Sequence, residues 1–385
     1  MNLISTFLHE QYWLFRHKGA AILLFAAPLI YSLFYPLPYQ FAVVEEVPLI
    51  VWNNDFSAES RSWIAKLDAS PELRVVAQLA GEPNKAQWQQ YGDAQAFVYF
   101  PPNSRDKLVH QQQVNVAYGA KADNFLVYST ASRAIGLVLA DINENWSLQY
   151  LYLNDKNAVT AEQYAKPIDS SVVPLFNDHS SYMQYLVPAV FILIVQQVLM
   201  MSLGMQWSYR FELNRPIGNA FALWNAHLWI YTLHGLALIL FFFRWALPQQ
   251  GVEINIDNRL LLHTALPFIV ASIGFGMVLT HLMRKQESAI VWLLPTSIPM
   301  LLLSGISWPS FAMNEGLQAA AIWLPSTWGI NALIDAVFLH QMPDIMIGWR
   351  TALFWLSLSL WLRLTVTDDM TAAGDNAAET GPSTV

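Results

Sequence analysis

The sequence has no cysteine and few charged residues. Without cysteine the chain can form no disulfide, no thiolate metal site and no cysteine nucleophile. Charged residues make up 12% of its 385 residues and hydrophobic residues 55%, whereas an ordinary soluble domain has about 25% charged residues. The net charge is -8, and the basic residues form no stripe that could neutralise phosphates. The composition therefore predicts a membrane protein and argues against nucleic acid as a partner.

Motifs that identify common enzymes are also missing. The sequence has no G-x-x-x-x-G-K-[ST] phosphate loop, so it does not bind ATP in the Walker manner. It contains no H-E-x-x-H, no G-x-S-x-G and no histidines at metal-ligand spacing. We therefore predict no catalytic residue, no metal site and no cofactor in this chain. Any energy that it uses must come from another protein.

Six uncharged or nearly uncharged stretches are long enough to cross a bilayer, which takes a helix of about 20 apolar residues. They lie at residues 19–36, 179–209, 216–243, 260–283, 288–314 and 345–364. The first could instead belong to a secretory signal peptide, because a basic cluster precedes it. The apolar spacing of residues 1–18 favours an amphipathic surface helix followed by an uncleaved anchor.

Between the first two stretches, residues 37–179 have the composition of a soluble domain. Apolar runs at 47–53, 74–79, 96–100 and 114–118 predict strands, and residues 58–67 and 124–153 predict helices. This alternation indicates an α/β domain with a small mixed sheet. The predicted fold is thus an α-helical membrane protein with an α/β domain inserted between the first and second spans.

The distribution of basic residues predicts the orientation, because short cytoplasmic loops are enriched in lysine and arginine. With the N-terminus inside, seven basic residues lie on the inner side and three on the outer side. The inner ones are Arg16, Lys18, Arg210, Arg215, Arg284, Lys285 and Arg363, and the outer ones are Arg244, Arg259 and Arg350. Arg350 and Arg363 lie near the two ends of the sixth stretch, where their long side chains are predicted to extend to the membrane interface. The α/β domain is then extracytoplasmic, and the polar segment 365–385 is predicted to be a disordered cytoplasmic tail.

Residues 305–330 interrupt the apolar pattern. Gly305 and Pro309 break the helix at a depth where its carbonyls need other partners, and Pro325 divides the segment that follows. We predict a re-entrant or surface segment that forms an outer gate, with a simple capping turn as the alternative. If residues 316–334 crossed the membrane instead, the C-terminus would change sides.

The loop after the second span carries Arg210, Glu212 and Arg215. Alternating charge at the membrane surface could dock a cytoplasmic partner, or it could form only a solvated turn with positive-inside anchors.

Among the polar residues inside the predicted spans, Gln196, Gln197, His227 and His234 stand out as candidates. Such residues are functional candidates by default, so the two histidines could serve a proton path. Alternatively, all four form hydrogen bonds across the helix bundle.

Four stretches, taken in order, resemble the permease subunits of type-2 ABC transporters. They are VPLIVWNND with Ser60 and Arg61 at 47–61, FVYFPPNSR at 97–105, PLFN and YLVP at 174–188, and PTSIPMLLLSGISWP at 295–309. The family's E-x-G-T-x-E signature after the second span is replaced here by residues 209–215, which keep only Glu212 and flanking arginines. In the family this loop contacts the ATPase.

The resemblance implies the permease subunit of an ATP-driven exporter in a bacterial inner membrane. It implies a cytoplasmic ABC ATPase that carries ATP and Mg²⁺, a second permease copy or homologue, and surrounding membrane lipid. A periplasmic adaptor protein is a further expected partner. The alternatives are a membrane-anchored receptor or structural protein and a membrane-embedded enzyme, the second of which the missing catalytic motifs disfavour.

Overall fold

The computed structural model describes residues 2–39, 44–153, 182–213, 218–283, 285–338 and 341–379. Arg215, Arg284 and the motif at 174–177 lie outside these ranges. The chain divides into two compact units, one formed by Met1–Gln40 with Leu175–Val385 and the other by Phe41–Pro174. We describe them separately.

Within the described ranges, the membrane unit has six helices that are long and apolar enough to cross a bilayer. We call them the first to sixth spans; they are Lys18–Tyr39, Met183–Glu212, Ala220–Gln249, Asn258–Thr280, Gln286–Leu303 and Ile345–Thr365. The six predicted spans are confirmed in number and approximate position.

The N-terminal helix α1 (Leu3–Arg16) packs with its polar side inward. Its buried residues Thr6, Glu10 and Leu14 follow one another at four-residue spacing, which places them on one helix face. Ile4 and Leu8 are 75% and 61% exposed. An outward apolar face of this kind suits a helix that lies at a bilayer surface.

His17 separates α1 from the first span. Its Nδ1 accepts a hydrogen bond of 2.9 Å from the backbone N–H of Ala20, which satisfies one of the free donors at the start of the new helix. The span itself consists of an α-helix at Lys18–Ala21, a π-helical turn at Ile22–Ala26, an α-helix at Ala27–Phe34 and a 3₁₀ turn at Leu37–Tyr39.

The α/β unit has a four-stranded mixed sheet, as predicted. Its strands are β1 (Val47–Asn53), β2 (Leu73–Leu79), β3 (Ala96–Phe100) and β4 (Ala117–Ala120). The order is β2-β1-β3-β4, with β1 parallel to β2 and β3, and β4 antiparallel to β3. Its helices in the described part of the unit are α2 (Ala58–Asp68), α3 (Lys85–Gln90), α4 (Ser104–Val109) and α5 (Phe125–Leu153).

The sequence predictions missed α3 and α4 and began β4 three residues too early. Each missed helix has only six residues, which is too short for a periodic apolar face. The continuous apolar run of β1 is explained by burial on both sheet faces. Leu49 and Val51 pack against α2 and α5, and Trp52 packs with Trp88 and Phe97 on the other face.

Asp55 and Arg105, from two of the stretches that carry the family resemblance, hold the ends of β1 and β3 together. The carboxylate of Asp55 accepts a hydrogen bond of 3.1 Å from the backbone N–H of Arg105. Arg105 in turn forms a 2.9 Å ion pair with Glu59 in the first turn of α2. These contacts give both motifs a structural role.

The second span is the most buried of the six and lies at the centre of the membrane unit. The third consists of an α-helix at Ala220–Phe241, a π-helical turn at Phe242–Ala246 and a short helix at Leu247–Gln249. The fourth span packs against the helix that contains Gly329. A Cβ added at Gly329 would come within 2.1 Å of the ring of Phe268 in the fourth span. Only glycine permits this close approach.

The fifth span ends just before Gly305, where the sequence predicts a helix break. It consists of Gln286–Leu293, a 3₁₀ turn at Leu294–Thr296 and Ser297–Leu303, and the uncharged stretch that contains it continues to residue 314. After a 3₁₀ turn at Ser310–Ala312 come α6 (Glu315–Ala321) and α7 (Pro325–Phe338). With 7 and 14 residues, neither reaches the length of about 20 residues that a span needs.

The last helix runs from Ile345 to Glu379. Residues 365–379 are therefore helical, whereas the sequence predicts disorder from residue 365. This segment is rich in alanine, the best helix former. It also extends a helix that is already nucleated, which avoids the unfavourable first turn.

Candidate functional site

A buried polar cluster joins α1 to the second and third spans. We call Glu10, Gln206, Arg210 and His227 the Glu10 cluster. The carboxylate of Glu10, whose residue is 3% exposed, forms an ion pair with Arg210. Gln206 donates to its Oε2 over 3.1 Å, and His227 Nε2 lies 3.2 Å from the same oxygen. One carboxylate thus connects three helices.

The electrostatics of the cluster keep Glu10 ionised. Burial alone would raise the pKa of this carboxyl group. The hydrogen bonds from His227 and Arg210, together with the positive charge of Arg210, outweigh burial and lower the pKa from its ordinary 4.5 to about 2. Glu10 therefore remains a buried anion at neutral pH, held by cationic and hydrogen-bonding groups.

The hydrogen bonds continue from the Glu10 cluster to the first span. The Tyr231 hydroxyl donates to Gln206 Oε1 over 2.8 Å and lies 3.4 Å from the Ser202 hydroxyl. Ser202 donates to the backbone carbonyl of Ala20 over 3.0 Å. The first three spans and α1 are therefore linked by one continuous set of polar contacts.

The structure places the predicted ATPase-contact residues Arg210 and Glu212 in bonds within the chain. Arg210 turns towards Glu10, and its side chain is only 11% exposed. Glu212 accepts hydrogen bonds from the backbone and side-chain N–H groups of Gln286 at the start of the fifth span. Gln286 Oε1 also lies 2.6 Å from His17 Nε2. Arg215 lies outside the described residues, and the contact with an ATPase stays a prediction.

Gln196 and Gln197 connect the second span to its neighbours. Gln196 accepts a hydrogen bond of 3.4 Å from Ser272 in the fourth span and donates to Met300 Sδ in the fifth. Gln197 donates to Thr296 and to Met300. These hydrogen bonds between helices correspond to the alternative given above, in which the two glutamines bond across the helix bundle.

The two candidate histidines are in different surroundings. His227 is buried in the Glu10 cluster, whereas His234 bonds through Nδ1 to the Ile230 carbonyl of its own helix over 2.8 Å. The His234 ring packs beside Phe15 and Phe25, with centroid distances of 6.3 and 5.6 Å. The structure thus does not bring the two histidines into one polar path.

The helix break after Leu303 is fixed by side chains of other elements. Gly305 has φ +90°, a conformation that favours glycine. The carbonyl of Leu303 accepts from Thr327 over 3.3 Å, and that of Ser304 accepts from Asn331 over 2.8 Å. The Ile306 carbonyl accepts from Tyr185 over 2.6 Å. The freed carbonyls thus find partners in α7 and the second span, as a break at membrane depth requires.

Both predicted gate prolines lie at helix starts. Pro309 precedes the 3₁₀ turn at Ser310–Ala312, and Pro325 is the buried first residue of α7. Proline suits these positions because the first N–H groups of a helix have no partner within it.

Arg363, in the sixth span, was predicted to extend to the membrane interface and is instead buried. It is 1% exposed, and its guanidinium carbon lies 3.0 Å from the centre of the Trp207 ring. It also donates to Thr280 over 3.4 Å. The sequence prediction was wrong because a residue near a helix end can also meet an aromatic face within the bundle.

Sequence reasoning also missed Glu10 and Gln206. Glu10 is the one acidic residue of α1, and its four-residue spacing to Thr6 and Leu14 was an available signal. No comparable pattern singles out Gln206. Within the described ranges, no three His, Asp or Glu side chains are grouped so that they could hold a metal ion.

The sequence model of one protein family, described as "ABC-2 family transporter protein", matches residues 18–362. The match covers the α/β unit and nearly all of the six spans. No curated protein matches the chain.

Proposed function

Since this chain belongs to the ABC-2 family of transporter proteins, we propose that it is the permease subunit of an ATP-driven exporter. Two copies, or one copy and a homologue, form the pathway across a bacterial inner membrane. A separate cytoplasmic ATPase binds ATP and Mg²⁺, because the chain's sequence has no phosphate loop. The α/β unit is extracytoplasmic and guides substrate outward or meets a periplasmic adaptor.

The Glu10 cluster is the observation that carries this proposal. It fastens α1 to the second and third spans near the connection between those two spans. An ATPase that docks on α1 and this connection moves all three elements together, because separating a buried ion pair is strongly unfavourable. ATP binding then shifts the permease between its states through the different affinities of the ATPase for each state.

The second span links this cluster to the helix break. It is one α-helix from Tyr182 to Glu212, about 45 Å long at 1.5 Å per residue. Gln206 and Arg210 lie near one end, and Tyr185, which holds the Ile306 carbonyl, lies near the other. A tilt of this helix at the Glu10 cluster therefore displaces the break, which acts as the gate.

Co-purification tests the proposal directly. The chain, isolated under mild conditions from its native membrane, should bring with it a nucleotide-binding subunit that hydrolyses ATP, and the chain alone should show no hydrolysis. Turnover by the isolated chain, or the absence of any nucleotide-binding subunit, would contradict the permease assignment.

Uncoupling is the second measurement. Glu10→Gln should keep the ATPase bound but lower transport per ATP hydrolysed, since α1 is then less firmly held to the second span. Glu253→Gln is the matched control, because its residue is exposed in the connection between the third and fourth spans and belongs neither to the Glu10 cluster nor to the predicted ATPase contact. Equal transport by all three forms would exclude the Glu10 cluster as the coupling element.

A further inference from the structure

A groove of about 280 Å³ lies between the first and third spans. Its wall is apolar, with Leu29, Leu238 and Phe241 among the lining side chains, and within the described residues His234 is the one polar side chain on it. Phe25 and Leu29, which line it from the first span, are 40% and 49% exposed. The groove therefore opens on the apolar surface that faces lipid.

His234 presents a hydrogen-bond acceptor to this groove. Its Nδ1 lies 2.8 Å from the carbonyl oxygen of Ile230. A carbonyl can only accept, so in the neutral ring Nδ1 carries the hydrogen and Nε2 keeps the lone pair. The residue is half-buried, and its Nε2 makes no hydrogen bond within the described part of the chain. Unlike His281 Nε2, however, it is not fully buried, so a ligand in the groove can reach it.

The polar end of the groove lies towards the bilayer interface. The first span begins at Lys18, and Phe25 follows seven residues later, or about 10 Å at 1.5 Å per residue. The Phe25 ring packs beside His234, with a centroid distance of 5.6 Å. From His234 the wall continues along the third span to Phe241, about 10 Å further. This order, polar near the interface and apolar beyond it, matches the two ends of an amphiphile.

Both helices depart from regular α geometry beside the groove. The π-helical turn Ile22–Ala26 carries two of the lining residues, Leu24 and Phe25. The second π-helical turn, Phe242–Ala246, follows directly after Phe241. Such turns are rare and occur frequently at functional sites. Their position on both sides of one groove favours a binding site over an accidental gap between helices.

We propose that this groove binds one single-chain lipid whose hydroxyl group donates a hydrogen bond to His234 Nε2. The chain of this lipid lies along the apolar wall. A volume of about 280 Å³ is at the lower end for ligand pockets and suits one chain rather than two. A phosphate or carboxylate would find no cation among the described lining residues, at a place where charge is costly.

Two photoreactive probes that differ only in the donor test the proposal. One is hexadecanol with a diazirine in its chain, and the other is the methyl ether of the same molecule. The full-length chain in phosphatidylcholine bilayers would be labelled at matched mole fractions of probe in the bilayer, and the labelled residues would be mapped by mass spectrometry. The alcohol should saturate residues 24–29 and 237–241 at about tenfold lower mole fraction, as one hydrogen bond to this acceptor predicts.

Two outcomes of the labelling would overturn the proposal. Equal saturation by the alcohol and the ether would indicate ordinary contact with bilayer lipid. Absence of label from the groove would indicate that a partner helix covers it.

Solid-state ¹⁵N NMR reads the acceptor atom itself. The Nε2 resonance of His234, assigned by its loss in His234→Phe, should shift when hexadecanol is added and stay in place with the methyl ether. His281 is the internal control, because its Nδ1 also bonds to the carbonyl four residues earlier, that of Met277, over 2.9 Å, but its Nε2 is fully buried. An unchanged His234 resonance, or an equal shift of both histidines, would contradict the site.

Variants assign the labelling to the groove. His234→Phe keeps a ring but removes the acceptor, and should abolish the preference for the alcohol over the ether. Ala237→Phe, at an exposed position on the wall, should weaken the labelling by both probes without disturbing a buried group. Leu233→Phe is the matched control, since Leu233 is 61% exposed and lies outside the groove. A preference that survives His234→Phe, or unchanged labelling of Ala237→Phe, would refute the site.

The proposal goes beyond the proposed transport function and is tested on the chain without an ATPase. Its failure would therefore leave the permease assignment standing, and a failure to co-purify an ATPase would leave the lipid site intact.

Discussion

Replacing Glu10 by glutamine should destabilise the membrane unit by about 3 kcal/mol. Lowering the pKa of this carboxyl group from 4.5 to about 2 corresponds to about 3 kcal/mol, at about 1.4 kcal/mol per pKa unit. Removal of one partner from a buried ion pair costs about 3–5 kcal/mol. Because the Arg210 side chain is 11% exposed and keeps some access to water, we expect the lower end of that range.

A double-mutant cycle isolates the pair from its surroundings. Glu10→Gln, Arg210→Gln and the double variant would be compared by chemical unfolding of the purified chain in bicelles, with helix content as the signal. The double variant should lose less than the two single variants together, with a coupling energy of about 2–3 kcal/mol for groups in direct contact. A coupling energy below about 0.5 kcal/mol would refute the reasoning.

Glu212→Gln is the matched control for this cycle. Its carboxylate is exposed and bonds to Gln286 at the start of the fifth span, so its loss should cost less than about 1 kcal/mol. A cost equal to that of Glu10→Gln would show that burial of the ion pair is not the cause.

The dependence on pH has a definite sign. The pKa of Glu10 is lower in the folded state than its ordinary value. The ionised carboxylate therefore contributes its full share of the unfolding free energy above about pH 4.5, and this contribution is lost as the pH falls towards 2. The difference in unfolding free energy between wild type and Glu10→Gln should therefore shrink over this interval. A difference that stays constant from pH 7 to pH 3 would contradict the assignment of the carboxylate as a buried anion.

Three further changes test other parts of the structure. Asn331→Leu removes the donor to a carbonyl at the helix break and should lower the unfolding free energy by about 1–3 kcal/mol; an unchanged value would mean that the break needs no such partner. Arg363→Lys loses the guanidinium contact with the Trp207 ring and should cost about 1–2 kcal/mol. The exposed Arg350→Lys in the same helix should be nearly neutral in the same assay. Trp52 in the sheet is 0% exposed, so Trp52→Ala should lower the unfolding free energy by about 3–5 kcal/mol. Tyr118 is 46% exposed, and Tyr118→Ala should change it by no more than about 0.5 kcal/mol. Equal losses would contradict the assignment of Trp52 to the sheet core.

The sequence by itself determined the spans and the strands, because both follow from local composition. A helix in lipid satisfies its own backbone hydrogen bonds, so length and hydrophobicity suffice to find it. The same holds for β1 and β3, whose bounds Val47–Asn53 and Ala96–Phe100 agree with the predicted ranges. The break near Gly305 was also predicted, since glycine and proline act through their own backbone.

Only the tertiary structure decided where the polar side chains point. Glu10 and Arg210 are 200 positions apart in the chain, and no local pattern could pair them. The apolar pattern of α1 was read correctly as amphipathic, but it did not reveal that the polar face is buried and carries Glu10. The position of Arg363 near a helix end likewise did not show where its side chain points; in the structure it lies against the Trp207 ring. In a membrane, buried polar groups must find partners in other helices, and those partners are set by helix packing rather than by sequence position.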